Sequence, residues 1–327
     1  MNRRHPLISN PVTTTLLLLG AVVVAVLYSL PSFYSGVKTW ALWSELGGAA
    51  LFAWLIQELL IHYRLCTREM HHVFPICLTM ITGATHFATI HFPGTPPLYG
   101  FYATAALLAV VCLAMQTWQN RDAALPSLGA GAIIGGISFL LPNCIYWLVL
   151  LLAALYFMRS FSGRTVLGSL TGYLLSIWIG YVIATITDGV EQASLALPWN
   201  ESLIDFKTLD FSILSPLQIG FIIWIVLLIM GYAFGGFFLN FADSIHAHCS
   251  ISTISALALS TPLFIFLDPE HIAIYISIAA TFVGGLLSLS LGHHQNLIKQ
   301  YWAILLLLIT FAWWSAALWF DPTWLTA

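Results

Sequence analysis

The residues able to do chemistry are few and widely spaced. Glu45 and Glu58 lie in one apolar run, 13 residues apart. On a helix that spacing points them to different faces, so they do not form an acid–base dyad. Glu58 precedes His62 by one turn, and an i,i+4 carboxylate–imidazole pair shares a helix face. Such a pair could relay a proton or hold a cation. Glu45, one turn after Trp40 and Trp43 begin the same run, could serve as a base near its end. His86 is a further titratable group inside apolar sequence. Ionisable groups in hydrocarbon are costly and mark function by default. Glu45, Glu58, His62 and His86 are therefore the candidate catalytic or proton-coupling residues. Arg159 and Arg164, in Arg159-Ser-Phe-Ser-Gly-Arg164, are the candidate lipid-phosphate ligands, because a guanidinium fork fits phosphate bidentately.

No motif of a known reaction is present: no nucleophile elbow, P-loop, H-E-x-x-H or acidic metal signature. The five cysteines (Cys66, Cys77, Cys112, Cys144, Cys249) form no C-x-x-C and read as small apolar fillers. Most of the 11 histidines fall beside the short basic loops, where they stand in for lysine and arginine. His246, His248, His293 and His294 could meet around a metal only if their loops met, and their spacing matches no zinc pattern. No metal and no cofactor is expected.

These residues are embedded in a chain of 327 residues that is 60% hydrophobic and only 7% charged, with mean hydropathy +0.91. A soluble domain carries about a quarter charged residues. Ten basic and 13 acidic side chains cannot cover a water-facing surface of this length. A soluble enzyme and a disordered chain are excluded. The net charge of −3 argues against a nucleic-acid partner.

The sequence predicts an all-α polytopic transmembrane bundle, a single integral membrane domain over 1–327. A span needs about 20 apolar residues. Apolar runs occupy 12–30, 41–61, 73–92, 99–117, 126–141, 143–158, 165–187, 217–239, 251–268, 272–291 and 300–320, about 11 spans. The fifth and sixth are short and meet at Leu141-Pro142-Asn143, as two tilted spans or as a re-entrant hairpin. The first reads as a retained anchor, since no small-residue cleavage site follows it. With the N-terminus cytoplasmic, Arg3, Arg4, Arg64, Arg68, Arg121, Arg159, Arg164 and Lys299 lie inside and only Lys38 and Lys207 outside. Asp188, Glu191, Glu201, Asp205, Asp210, Asp268, Glu270 and Asp321 then fall outside, five of them in an acidic outer loop at 188–215.

Helices in lipid associate through small residues that let backbones approach. Gly131/Gly135, Gly168/Gly172 and Gly231/Gly235 have that spacing, and Gly47-Gly48 and Gly284-Gly285 add further notches.

The stretch Leu128–Tyr181 carries the most distinctive pattern. A small-residue helix is followed by a Pro142 break, an apolar helix, R-x-F-x-x-R, and a helix with Leu167-Gly-Ser-Leu-Thr-Gly172. This resembles an uncharacterised multi-pass inner-membrane family of Bacteroidota, a domain of unknown function. Leu60–Pro75 and Ser260-Thr-Pro262 fit it loosely. The resemblance implies topology and a bacterial inner-membrane location. More distantly, the pattern is similar to polytopic glycosyltransferases that use polyprenyl-phosphate sugars. Those place a catalytic acid in the first outer loop; here that loop, Pro31 to Trp40, has none, and Glu45 is the nearest carboxylate.

Three functions are expected in descending order. The first is a membrane subunit or scaffold in envelope assembly or secretion. The second is a lipid-linked glycan transferase or flippase, using Arg159 and Arg164 on a polyprenyl phosphate or Glu45 as base. The third is a proton-coupled transporter using Glu58, His62 and His86. The expected partners are membrane lipids, with other membrane proteins or a polyprenyl-phosphate lipid according to the reading.

Overall fold

The computed structural model describes residues 39–65, 72–91, 97–139, 141–190, 214–238, 245–268 and 271–293, with isolated positions between 15 and 23, at 194 and 197, and between 305 and 312. All regular structure among the described residues is helical. The elements are α1 (Thr39–His62), α2 (Val73–His91), α3 (Pro97–Gln116), α4 (Ala124–Ile137), a 3-10 turn (Pro142–Tyr146), α5 (Trp147–Phe157), α6 (Gly163–Asp188), α7 (Pro216–Phe238), α8 (Ile245–Leu267) and α9 (Ile272–His293). Each coincides to within a few residues with an apolar run in the sequence. Three stretches are long and apolar enough to cross a membrane: Gly163–Thr187, Ile245–Leu267 and Ile272–Ser290. The first and last apolar runs, and most of the acidic loop at 188–215, lie outside the described residues.

The helices gather into two compact units. In the first, α9 packs on α2 and α7, and α1 packs on α2. Of the apolar window of α9, 94% is buried. A helix that is apolar all round belongs in an interior. Gly284 sits against Cys77, and Gly285 against Ile56. Phe52 and Phe101 stack with centroids 5.5 Å apart, and Phe101 fills the notch at Gly48.

The second unit is built on α4 and α6. The two expected glycine pairs are each other's partners. A Cβ at Gly131 would collide with the carbonyl oxygen of Ser169, and one at Gly172 with that of Leu128. At Gly135 it would lie 2.6 Å from the Tyr173 carbonyl, and at Gly168 2.8 Å from that of Ala124. Residue numbers rise together along the two helices, so α4 and α6 run parallel. The chain achieves this by turning at Pro142 and coming back along α5, which also packs on α8. Proline has no N–H to extend the ladder of α4, so the break falls where the sequence places it.

The α4–α5 pair is a hairpin, with both outer ends at one level. At 14 residues α4 is roughly 21 Å long, while the 26 residues of α6 make roughly 39 Å. A hydrocarbon core is about 30 Å thick. Phe139 packs against Gly180, and α6 continues past it to Asp188, about 12 Å further. The hairpin tip is thus recessed beside a longer helix.

Not every expected glycine notch is used. Gly231 and Gly47 have open space where a Cβ would sit. Gly172→Ala should therefore destabilise the protein by about 1–3 kcal/mol, the usual cost of overpacking. Gly231→Ala and Gly136→Ala, which meet nothing within 4 Å, should leave the thermal midpoint unchanged or slightly raised. Thermal unfolding in detergent, followed by size exclusion, distinguishes the two classes.

Candidate functional site

The two ends of the broken hairpin collect the polar side chains of the second unit. At the open end, two loops interlock. The N–H of Gln119 donates to the carbonyl of Met158 at 3.0 Å. The buried hydroxyls of Thr117 and Ser160 lie 2.8 Å apart. Ser162 caps α6: its hydroxyl accepts from the Thr165 N–H at 3.3 Å, and its own N–H donates to the Thr165 hydroxyl at 3.0 Å. This is a reciprocal capping box with threonine at the third position. The Ser162 hydroxyl also donates to the Arg121 carbonyl at 2.6 Å, tying the two loops together.

This interlocked end carries Arg121, Arg159 and Arg164, all exposed. Arg164 pairs with Asp122 at 2.8 Å, with both side chains 74% exposed. The two expected phosphate ligands are thus unlike one another, since one already faces a carboxylate. Arg159 ends α5 in the left-handed region with φ 57°. Its N–H bonds to the carbonyl of Tyr156, and that of Ser160 to the carbonyl of Leu155, both at 3.0 Å. That is a Schellman ending with arginine where glycine is favoured. Arg64 closes α1 the same way, with φ 55° and bonds from Arg64 to Ile61 and from Leu65 to Leu60. Exposed Tyr156, Phe161, Leu125 and Leu167 flank the arginines with apolar surface.

His246, at the start of α8, packs edge-on against Trp118 with centroids 4.6 Å apart. The Trp118 indole N–H is buried and makes no hydrogen bond.

The closed end of the hairpin is more deeply buried. Ser138, the C-cap of α4, has no exposure and donates its hydroxyl to the Ile134 carbonyl at 2.7 Å. Cys144 in the 3-10 turn is buried. Tyr173 on α6 is 5% exposed, and its hydroxyl lies beside Ser138 while closing no hydrogen bond. Asp268, just past α8, is 6% exposed.

The sequence-predicted residues are placed as follows. Glu58 and His62 share an exposed face of α1, as their spacing requires, but form no ion pair. The His62 ring meets Tyr63 edge-on at 5.0 Å. Glu45 is on α1 and His86 on α2; their side chains lie outside what is described. Among the described side chains, Asp268 is the one buried carboxylate; the sequence places it on the outer side with the other acids and says nothing of its burial. His72, read from the sequence as lying on or near the cytoplasmic side, is buried, with Nε2 3.2 Å from the Ser288 carbonyl. The described cysteines are free thiols, buried or half-buried. No group of three or more His, Cys, Asp or Glu that could hold a metal occurs among the described residues.

Comparison with protein-family models, curated proteins and solved structures finds no match to this chain.

The capping box should outweigh the surface ion pair. Ser162→Ala should cost about 1 kcal/mol, through loss of the cap. Asp122→Asn should cost less, within the 0.2–1 kcal/mol range of exposed pairs, roughly. Thermal midpoints of the two variants at low and high salt check the order; only the Asp122→Asn effect should shrink with salt.

Proposed function

We propose that this chain is a multi-pass protein of a bacterial inner membrane, with about 11 spans and a cytoplasmic N-terminus. We infer that it serves as a membrane subunit or scaffold in envelope assembly or secretion. The bias of Lys and Arg among the short loops supports the orientation, and it puts the arginine-bearing end of the hairpin on the cytoplasmic side. The observation that carries the functional reading is the surface of α6. One face is locked backbone to backbone against α4. The other exposes Leu167, Leu174 and Trp178; Ile183 and Ile186 are exposed nearer the helix end, and only 28% of the apolar window is buried. A stiff rib with a free apolar face can seat a transmembrane helix of another protein. A photo-crosslinking residue at Trp178 or Ile186, irradiated in cells, should give a discrete protein adduct, whereas one at exposed Val149 on α5 should not. Lipid adducts alone at all three positions would overturn the subunit reading.

A second reading, handling of a lipid-linked glycan, is favoured by Arg159. A non-glycine residue in the left-handed region costs about 1 kcal/mol, and strain of this kind is retained where the side chain is useful. Arg159→Gly should thus raise stability by about 1 kcal/mol. If Arg159 binds a lipid phosphate, the same variant should retain less anionic lipid in native mass spectrometry. Arg64→Gly should gain stability without that loss. Equal lipid retention in wild type and Arg159→Gly removes Arg159 from phosphate binding.

A further inference from the structure

The open end of the hairpin gathers cationic side chains from two connections that hydrogen bonds hold together. The α3–α4 connection carries Gln119 and Arg121. The α5–α6 connection and the first turn of α6 carry Arg159 and Arg164. The Gln119 N–H donates to the Met158 carbonyl at 3.0 Å, which seats Gln119 beside the turn at Arg159. The Ser162 hydroxyl donates to the Arg121 carbonyl at 2.6 Å. Arg164 reaches back to Asp122 at 2.8 Å, and the Asp122 N–H donates to Asn120 Oδ1 at 3.0 Å, which steadies that carboxylate. Arg164 therefore has its counter-charge. Arg121 and Arg159 are exposed and hold no carboxylate among the described residues. Where the connections cross, Gln119 and Arg159 both occupy the left-handed region, at φ 55° and 57°. Glycine takes that conformation without steric cost, yet neither position uses one in a chain that has 23. Strain of this kind persists where the side chains are useful.

We propose that Arg121 and Arg159 together bind the headgroup of a lipid phosphomonoester across the interlocked loops. The proposal rests on the reading of Arg159 as a lipid-phosphate ligand, and adds a second ligand and the charge class of the lipid. The pair differs from the one expected in sequence, since Arg164 is already answered by Asp122. A guanidinium fork meets phosphate oxygens bidentately, so two arginines suit a group that offers three free oxygens. A phosphomonoester carries about 1.5–2 negative charges near neutral pH, which the two arginines balance; a phosphodiester carries a single charge and leaves one arginine unmatched. Gln119, exposed at the crossing, adds an amide N–H donor. The occupant is a lipid because of what surrounds the charges. Tyr156, Phe161, Leu125 and Leu167 are each more than half exposed, an apolar border that an acyl or prenyl chain covers. A soluble phosphate leaves that border bare, and the rim of a protein interface is polar.

The test is native mass spectrometry of the full chain, with a diacylglycerol phosphate, a polyprenyl phosphate or phosphatidylglycerol added in turn. At least one phosphomonoester should be retained about fivefold more than phosphatidylglycerol, the worth of one further matched arginine. Which of the two is retained identifies the source of the phosphate. Arg121→Gln and Arg159→Gln should each lower that retention about fivefold. Arg64→Gln, exposed in the other unit, should leave it unchanged. Glycerol phosphate, a head without a chain, should not displace the lipid at equal concentration; displacement would overturn the lipid assignment. Equal retention of phosphatidylglycerol, with loss in Arg159→Gln, would overturn the phosphomonoester assignment while the phosphate reading of Arg159 stands. Full retention in Arg121→Gln would overturn the pairing of the two arginines. Full retention in Arg159→Gln would remove the proposal and the reading beneath it together.

Discussion

The second unit depends on how close two helix backbones can come. Between α4 and α6 the contact is glycine against carbonyl, repeated from both sides: Gly131 and Gly135 of α4 meet Ser169 and Tyr173, and Gly168 and Gly172 of α6 meet Ala124 and Leu128. In lipid no hydrophobic drive joins helices, so this approach has to provide the association through dispersion and weak Cα–H to carbonyl contacts. It also fixes direction. Two helices in parallel need a return segment between them, and the chain between Ile137 and Gly163 is just long enough for α5 and two tight turns. The Pro142 break and the interlocked loops at Gln119 and Ser162 follow from that requirement.

The glycine spacing was legible in the sequence, and so was the position of the break. What spacing could not tell was which notch met which. Gly231/Gly235 has the same four-residue interval as Gly168/Gly172, yet Gly231 faces open space. A small residue permits an approach; only the partner surface decides whether one occurs. Helix placement was legible for a simpler reason, since the apolar runs are separated by short polar loops that leave little freedom in where each helix ends.

The polar residues were less legible. Rarity in apolar sequence drew attention to Glu58 and His62, and both lie on an exposed face of α1. Asp268 groups with the other outer-side acids, and position at the end of a helix does not tell whether a carboxylate is exposed. Its burial is tertiary, and nothing in the local sequence around it sets that burial. The burial of His72 was not legible either, as its position one residue before α2 says nothing about the Ser288 carbonyl that meets it.

The two ends of the hairpin show how one architecture creates two electrostatic environments. At the open end the charges are exposed, and solvent screening keeps the Arg164–Asp122 pair weak. There a charge can be lost at little structural cost. At the tip Ser138, Cys144 and Tyr173 have almost no exposure. Low dielectric there strengthens every interaction and penalises every unmatched group.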